Sequence, residues 1–123
     1  PVAAVVAASR AEAEDLAGYR VVAQHLPGIA ADDLRTLAVE LRTVFGSAPG
    51  VVALVGGDAK PALIVATTAA ARDLGAKAGD LVGAGAPALG GRGGGRDDLA
   101  QGGGTDAGGA TAALEAIRAA LRG

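Results

Sequence analysis

Residues 51–55 read Val51-Val52-Ala53-Leu54-Val55, an apolar run with no polar side chain on either face of an extended segment. A half-buried strand alternates apolar and polar residues, whereas an unbroken apolar run of this length is typical of a strand buried on both faces. Such a strand needs structure on both sides of its sheet, and helices commonly supply those layers. The run therefore predicts the central strand of an α/β domain.

The segment upstream of this run fits the same class. Residues 20–26 are rich in β-branched side chains and stop at Pro27-Gly28, which predicts a strand. Apolar residues at helical spacing then predict a helix over 32–45, capped by Asp32 or Asp33 and closed by Gly46. The first 17 residues are expected to be the tail of a preceding linker or helical element, with a short helix starting at Ser9.

Downstream of the run, residues 61–68 predict a strand that forms a hairpin with 51–55, and residues 77–89 predict a helix. A Gly-rich loop follows, and a last helix is expected to begin at Thr111. The order β-α-β-β-α-Gly-rich loop-α predicts one globular domain over 18–123, with a small mixed sheet flanked by helices. Short extra strands have room within 91–104.

The composition bounds the function. The chain has 123 residues, a formal net charge of −2, no cysteine and only two aromatic residues, Tyr19 and Phe45. A negative balance excludes binding of nucleic acid by bulk positive charge but leaves a local basic patch possible. No apolar run approaches the roughly 20 residues that span a bilayer, so no membrane partner is expected and a cytoplasmic location fits. Because the chain begins with Pro1 and lacks methionine, we expect a processed product or a piece of a longer protein.

Catalytic motifs are missing from the chain. His25 is the only histidine, and there is no cysteine nucleophile, serine elbow or zinc-protease motif. We therefore predict no catalytic residue, no metal site and no cofactor for this chain. Asp97 and Asp98 could bind a cation, but ion pairing with Arg92 and Arg96 is the favoured interpretation.

The Gly-rich stretch over 90–104 holds eight glycines, two arginines and one glutamine. It lacks the phosphate-loop motif and the dinucleotide fingerprint, and it follows a helix instead of a strand. Two interpretations stay open. Exposed amides with Arg92 and Arg96 could bind a polyanion, or the glycines could merely allow tight packing of the segment. With so few aromatics, RNA would be recognised by its shape and backbone and not by base stacking.

The pattern Gly90-Gly91-x-Gly93-Gly94-Gly95-Arg96-x-x-x-Ala100-Gln101-x-Gly103-Gly104, followed by Thr105-Asp106 and an Ala/Leu helix, carries a family resemblance. It resembles the C-terminal globular domain of bacterial alanyl-tRNA synthetases, which belongs to the DHHA1 group. The likeness covers residues 18–121. The related DHH phosphoesterases tend to carry Gly-Gly-His, whereas Arg92 follows Gly90-Gly91 here, and this difference favours the synthetase branch.

The resemblance implies an appendage of a larger ligase and not an enzyme by itself. Its expected partners are tRNA(Ala) and upstream domains that carry aminoacylation and editing, and those upstream domains use ATP, magnesium and zinc. The resemblance also implies that the domain engages the tRNA elbow and couples the two upstream activities. The alternatives are a dimerisation or assembly module of the same enzyme, and an accessory nucleic-acid-binding domain of a DHH phosphoesterase. The predicted RNA-binding residues, of which Arg92 is added on chemical grounds, are Arg92, Gly93, Gly94, Gly95, Arg96, Gln101, Gly103 and Gly104.

Overall fold

The structure, a computed structural model, describes residues 2–123, so Pro1 of the predicted tail lies outside it. Within residues 2–123, five α-helices and six strands follow one another with two short 3₁₀ turns, Ala86–Leu89 and Ala107–Gly109. The helices are α1 (Val2–Ala11), α2 (Ala31–Phe45), α3 (Ala69–Asp73), α4 (Ala78–Gly85) and α5 (Ala110–Arg122). The strands are β1 (Glu14–Leu16), β2 (Tyr19–His25), β3 (Gly50–Gly56), β4 (Ala62–Thr67), β5 (Arg92–Gly95) and β6 (Leu99–Gly103). None of the helices within residues 2–123 is long and apolar enough to cross a bilayer.

The six strands form one sheet in the order β1-β2-β3-β4-β6-β5. Strands β2 and β3 are parallel because α2 carries the chain back across the sheet between them. Every other pair is antiparallel, including the predicted hairpin of β3 and β4. The prediction of a single α/β domain with a mixed sheet is confirmed. Strand β5 lies at one edge of the sheet.

Strand β3 is the centre of a two-sided core, as its apolar run predicted. All seven of its residues are buried. On one face Val52 and Leu54 pack in a cluster with Leu34 and Leu41 of α2. On the other face Val51 and Val55 join a cluster with residues of α4 and α5. Each apolar side chain of the strand is therefore removed from water by a helical layer, which is the source of most of its stabilising free energy.

The boundaries of three helices, α1, α2 and α5, differ from those that the sequence predicts. Helix α1 ends at Ala11, just after the point where Ser9 was expected to start a helix. The N-cap residue of α2 is Ala30, and that of α5 is Gly109. Neither makes a side-chain capping hydrogen bond. The predicted capping roles of Asp32, Asp33 and Thr111 are therefore wrong. A polar side chain caps a helix from the N-cap position, and here Ala30 and Gly109 occupy those positions.

Strand β1 adds an unpredicted edge to the sheet within the expected tail. It pairs with β2 through a tight turn in which Ala17 and Gly18 both have positive φ, 53° and 90°. Arg118 of α5 holds this strand, because its Nε donates to Oε1 of Glu14 at 2.7 Å. That hydrogen bond is the main reason why the pKa of Arg118 is raised above its ordinary value.

The Gly-rich stretch, expected as a loop, contains β5 and β6, and we call residues 92–103 the edge hairpin. Its turn is anchored by main-chain carbonyls. The carbonyl of Arg96 accepts from the amide of Gly79, and that of Asp97 accepts from the amide of Ala78, at 3.1 and 2.8 Å. These donors are first-turn amides of α4, which have no partner within their own helix. The hairpin therefore supplies acceptors for two amides at the start of α4, where Ala78 is fully buried.

Two side chains complete the anchorage. The Thr67 hydroxyl donates to the Asp97 carbonyl at 2.6 Å, and the Thr67 amide donates to the Asp98 carbonyl at 3.0 Å. Arg42 of α2 also donates to the Asp98 carbonyl, at 2.7 Å. The turn is thus attached to α4, β4 and α2 together.

Replacing Thr67 with Val removes the hydroxyl from a fully buried position and leaves an apolar methyl facing the Asp97 carbonyl. We expect the free energy of unfolding to fall by about 1–3 kcal/mol, the usual range for a lost buried hydrogen bond. Urea unfolding measures this change. In the control Thr43→Val, an exposed hydroxyl bonded within α2 is lost, and a change below about 0.5 kcal/mol is expected. Equal effects of the two variants would show that the turn is not anchored by Thr67.

Candidate functional site

The predicted RNA-binding residues all lie in or beside the edge hairpin. Arg92, Gly93, Gly94 and Gly95 form β5, Arg96 begins the turn, Gln101 and Gly103 lie on β6, and Gly104 follows β6. The structure therefore gathers them at one edge of the sheet. The whole of β5 is exposed.

The residues nevertheless divide between the two faces of the sheet. Directly opposed residues of neighbouring strands share a face. Gly94 opposes Gln101, and Gln101 opposes Ile64, whose side chain lies in the core beneath α2. Gly94 and Gln101 therefore lie on the α2 side, as do Arg92 and its partner Gly103. By alternation Gly93 and Gly95 lie on the α4 side.

Close packing explains several of the glycines. A Cβ atom at Gly93 would lie 2.3 Å from Cα of Gly102, and one at Gly104 would lie 2.0 Å from the carbonyl oxygen of Leu89. Gly95 combines a φ of 151° with a Cβ position 2.8 Å from Cα of Ala100. These distances exclude any side chain without a shift of the backbone. The packing interpretation of the Gly-rich sequence therefore applies at these positions.

Gly94 is different. A Cβ atom there would meet nothing within 4 Å, so neighbouring atoms do not require a glycine. The residue lines a shallow groove of about 260 Å³ between α2 and the edge hairpin. Arg35 of α2 lines it on one side, and the edge hairpin lines the rest through Gly95, Arg96, Leu99, Ala100 and Gln101. We call this feature the α2 groove.

Arg35 was not predicted as a site residue. Its Nη2 donates to Oε1 of Gln101, which joins α2 to β6 across the α2 groove. The available signal was the seven-residue spacing of Arg35 and Arg42 on α2, which places both on one flank of the helix. Only the observed packing shows that this flank borders the edge hairpin.

The charges around the α2 groove are mostly positive. Arg96 has a side chain 79% exposed, and its Nε lies 3.3 Å from Oδ1 of Asp98. Arg42 lies 4.0 Å from Oδ2 of the same carboxylate. Arg92 pairs with no carboxylate among residues 2–123. The expected ion pairing therefore holds for Arg96 with Asp98 but not for Arg92, and one carboxylate is shared by two guanidinium groups.

The predicted family can be tested directly. A family model described as the DHHA1 domain matches residues 18–123. The chain belongs to the DHHA1 family. An alanine–tRNA ligase from Cutibacterium acnes is 53% identical over 104 residues, which is 84% of this chain and 12% of the ligase. An alanine–tRNA ligase from Nocardia farcinica is 48% identical over 110 residues, covering 88% of this chain and again 12% of the ligase. The DHHA1 chain thus spans about one eighth of the length of these relatives.

Solved structures agree with the family. The C-Ala domain from Aquifex aeolicus alanyl-tRNA synthetase superposes with a TM-score of 0.82 at 25% identity, covering 90% of this DHHA1 chain and 98% of that domain. A DHH-domain protein of the S1P family of ribosomal proteins superposes with a TM-score of 0.65 at 14% identity, over 98% of this chain and 30% of that one. The second likeness shows a shared fold alone. The resemblance to the C-terminal domain of alanyl-tRNA synthetases is therefore confirmed.

Alanine substitutions at two adjacent glycines separate packing from open surface. We expect Gly93→Ala to lower the free energy of unfolding by about 1–3 kcal/mol, because the new methyl overlaps Gly102 and Gln101. Gly94→Ala is the matched control, and it is expected to be neutral or to stabilise by up to about 1 kcal/mol through the unfolded state. Chemical denaturation of both variants makes the comparison. A large loss at Gly94 would contradict the open groove.

Proposed function

We propose that this DHHA1 domain is the C-terminal tRNA-binding appendage of an alanine–tRNA ligase. In this proposal it engages the elbow of tRNA(Ala) and couples aminoacylation to editing, both carried by upstream domains. The relatives supply the enzyme context, since the similar proteins are alanine–tRNA ligases. The observation that carries the binding role is the exposed α2-side surface of β5, where Arg92 and Arg96 flank Gly94.

This surface has the chemistry of a phosphate site. Guanidinium groups make paired hydrogen bonds to phosphate oxygens, and Arg92 and Arg96 lie about 13 Å apart along an extended strand. Gly94 between them adds no side chain, so a ribose–phosphate chain can approach the peptide backbone closely. An RNA backbone therefore fits this strand as a polyanion that contacts both ends at once.

Base stacking has no part in the proposed contact. The only two aromatic residues of the chain are Tyr19 and Phe45. Tyr19 is buried and donates its hydroxyl to the Leu74 carbonyl, and Phe45 packs against the core beneath α2. Neither ring is presented beside the edge hairpin, and recognition through shape and backbone follows.

The rest of the proposal concerns the surrounding enzyme. The domain supplies binding and no bond-making step, so ATP, magnesium and zinc are assigned to the upstream domains of the ligase. Its partners are tRNA(Ala) and those upstream domains, and its location is the cytoplasm. The net charge of −2 fits an auxiliary contact that depends on local charge.

The double variant Arg92→Ala/Arg96→Ala tests the binding role. We expect weaker binding of a tRNA(Ala) transcript, and a plot of log K against log salt whose slope is shallower by about one unit per lost phosphate contact. Fluorescence titration at several salt concentrations measures both. The control Arg10→Ala/Arg122→Ala removes the same charge from exposed residues of α1 and α5. Loss of binding in both double variants, or in neither, would contradict a specific contact at β5.

Gly94→Ala provides a second test of the same surface. If a phosphate chain lies against the strand, a methyl group at this position weakens tRNA binding although the fold is unaffected. The measurement is the same titration, with the unfolding data above as the control for stability. Unchanged affinity would show that the RNA does not approach Gly94.

A dimerisation or assembly module is the second candidate function. The exposed edge of β5 has free main-chain groups that could pair with a strand of another chain. Against it, β5 has only four residues and begins with a charged side chain, two features that discourage edge pairing. We expect a monomer in sedimentation equilibrium at high protein concentration, and a dimer at that concentration would favour assembly instead.

A further inference from the structure

The orientation of one amide group extends the proposed site beyond the edge hairpin. Arg35 donates to Oε1 of Gln101, and a guanidinium group can only donate. The Gln101 amide is therefore fixed with its oxygen toward Arg35 and its Nε2 turned the other way. Among residues 2–123 no protein oxygen accepts a hydrogen bond from that Nε2.

The consequence is a surface lined by donors. Around the α2 groove the polar side-chain groups left available are the Gln101 NH₂, the remaining N–H groups of Arg35 and the guanidinium group of Arg96. A phosphate group in RNA carries only acceptor oxygens, so it can satisfy each of these donors without leaving an unpaired acceptor on the protein. The carboxylate of Asp98 is the side-chain acceptor beside these donors, and it is already paired with Arg96 and Arg42.

Two of the acidic side chains of α2, at positions 33 and 40, lie away from this side. Arg35 and Arg42 are seven residues apart on the flank that borders β6. Asp33 and Glu40 have the same spacing, but at 100° per residue they lie across the buried stripe on the opposite flank. Asp32 lies three residues before Arg35, and Asp98 lies beside Arg96. The guanidinium groups of Arg35, Arg42 and Arg96 outnumber these two carboxylates, so the local charge is positive although the chain is acidic overall.

We propose that Arg35 and Gln101 together bind one phosphate group of the RNA backbone in the α2 groove, beside the contact made by β5. This inference rests on the proposed function, because it takes RNA as the ligand. Arg35 supplies charge and holds the Gln101 amide in place, and Gln101 supplies a directed pair of N–H donors. Leu99 forms the apolar wall against which a ribose can lie.

Two single substitutions test the pair. Arg35→Gln removes the charge, and Gln101→Glu replaces the donors with a carboxylate that pairs with Arg35. Each is expected to weaken binding of a tRNA(Ala) transcript several-fold and to lower the salt slope by about one. Arg35→Lys keeps the charge and one donor to Gln101, and it is expected to retain most of the affinity. Arg122→Gln, an exposed change on α5 of equal charge, serves as the control.

The outcomes separate this inference from the proposed function. If Arg92→Ala/Arg96→Ala weakens binding while Arg35→Gln and Gln101→Glu do not, the phosphate site in the α2 groove is overturned and the role of β5 stands. If the groove variants weaken binding alone, the inference stands and the contact at β5 is overturned. If no variant differs from Arg122→Gln, both proposals fail. Thermal unfolding of each variant checks that the fold is retained, which the exposure of Arg35 leads us to expect.

Discussion

The anchored turn of the edge hairpin is the constraint on which the exposed strand depends. Its carbonyls accept hydrogen bonds from the first turn of α4, from Thr67 and from Arg42. A segment so rich in glycine has high conformational freedom when it is free, and ordering it on binding would lower the affinity. Because the fold has already fixed the turn, Arg96 starts from a defined backbone position. The same bonds also satisfy two amides at the start of α4, so stability and site geometry share one cause.

The two interpretations of the Gly-rich sequence are both needed, at different residues. Gly93, Gly95 and Gly104 lie where a side chain would overlap the backbone of a neighbour, and they let α4 and the adjoining segments approach the sheet closely. Gly94 has open space and no such requirement. Alternation along β5 produces this division, because successive residues face α4 and the α2 groove in turn. A glycine count alone cannot separate the two roles.

The sequence predicted the elements whose apolar pattern is strong and missed those set by tertiary contacts. The apolar run at 51–55 predicted the α/β class and a core on both faces of the sheet, and the helical spacing of apolar residues predicted α2. Strands β5 and β6 lack β-branched residues, so the pairing of β6 with β4 and of β5 with β6 determines them and local propensity does not. The gathering of the predicted residues at one edge followed from the Gly/Arg motif, whereas Arg35 required knowledge of which flank of α2 meets β6. Their role in RNA binding stays a prediction.

A net negative domain can bind a polyanion when its charges are segregated. Asp98 is shared between Arg96 and Arg42, and Arg92 has no acidic partner among the described residues. Asp33 and Glu40 of α2 lie on the far flank. Surface charges interact mainly within about 10 Å at ordinary ionic strength, so the local arrangement outweighs the total. A contact made by so few cations is weak and sensitive to salt by itself. In the proposed ligase, linkage to other tRNA-binding domains would give this contact a high effective concentration, and the contact would then add to the avidity of the whole enzyme.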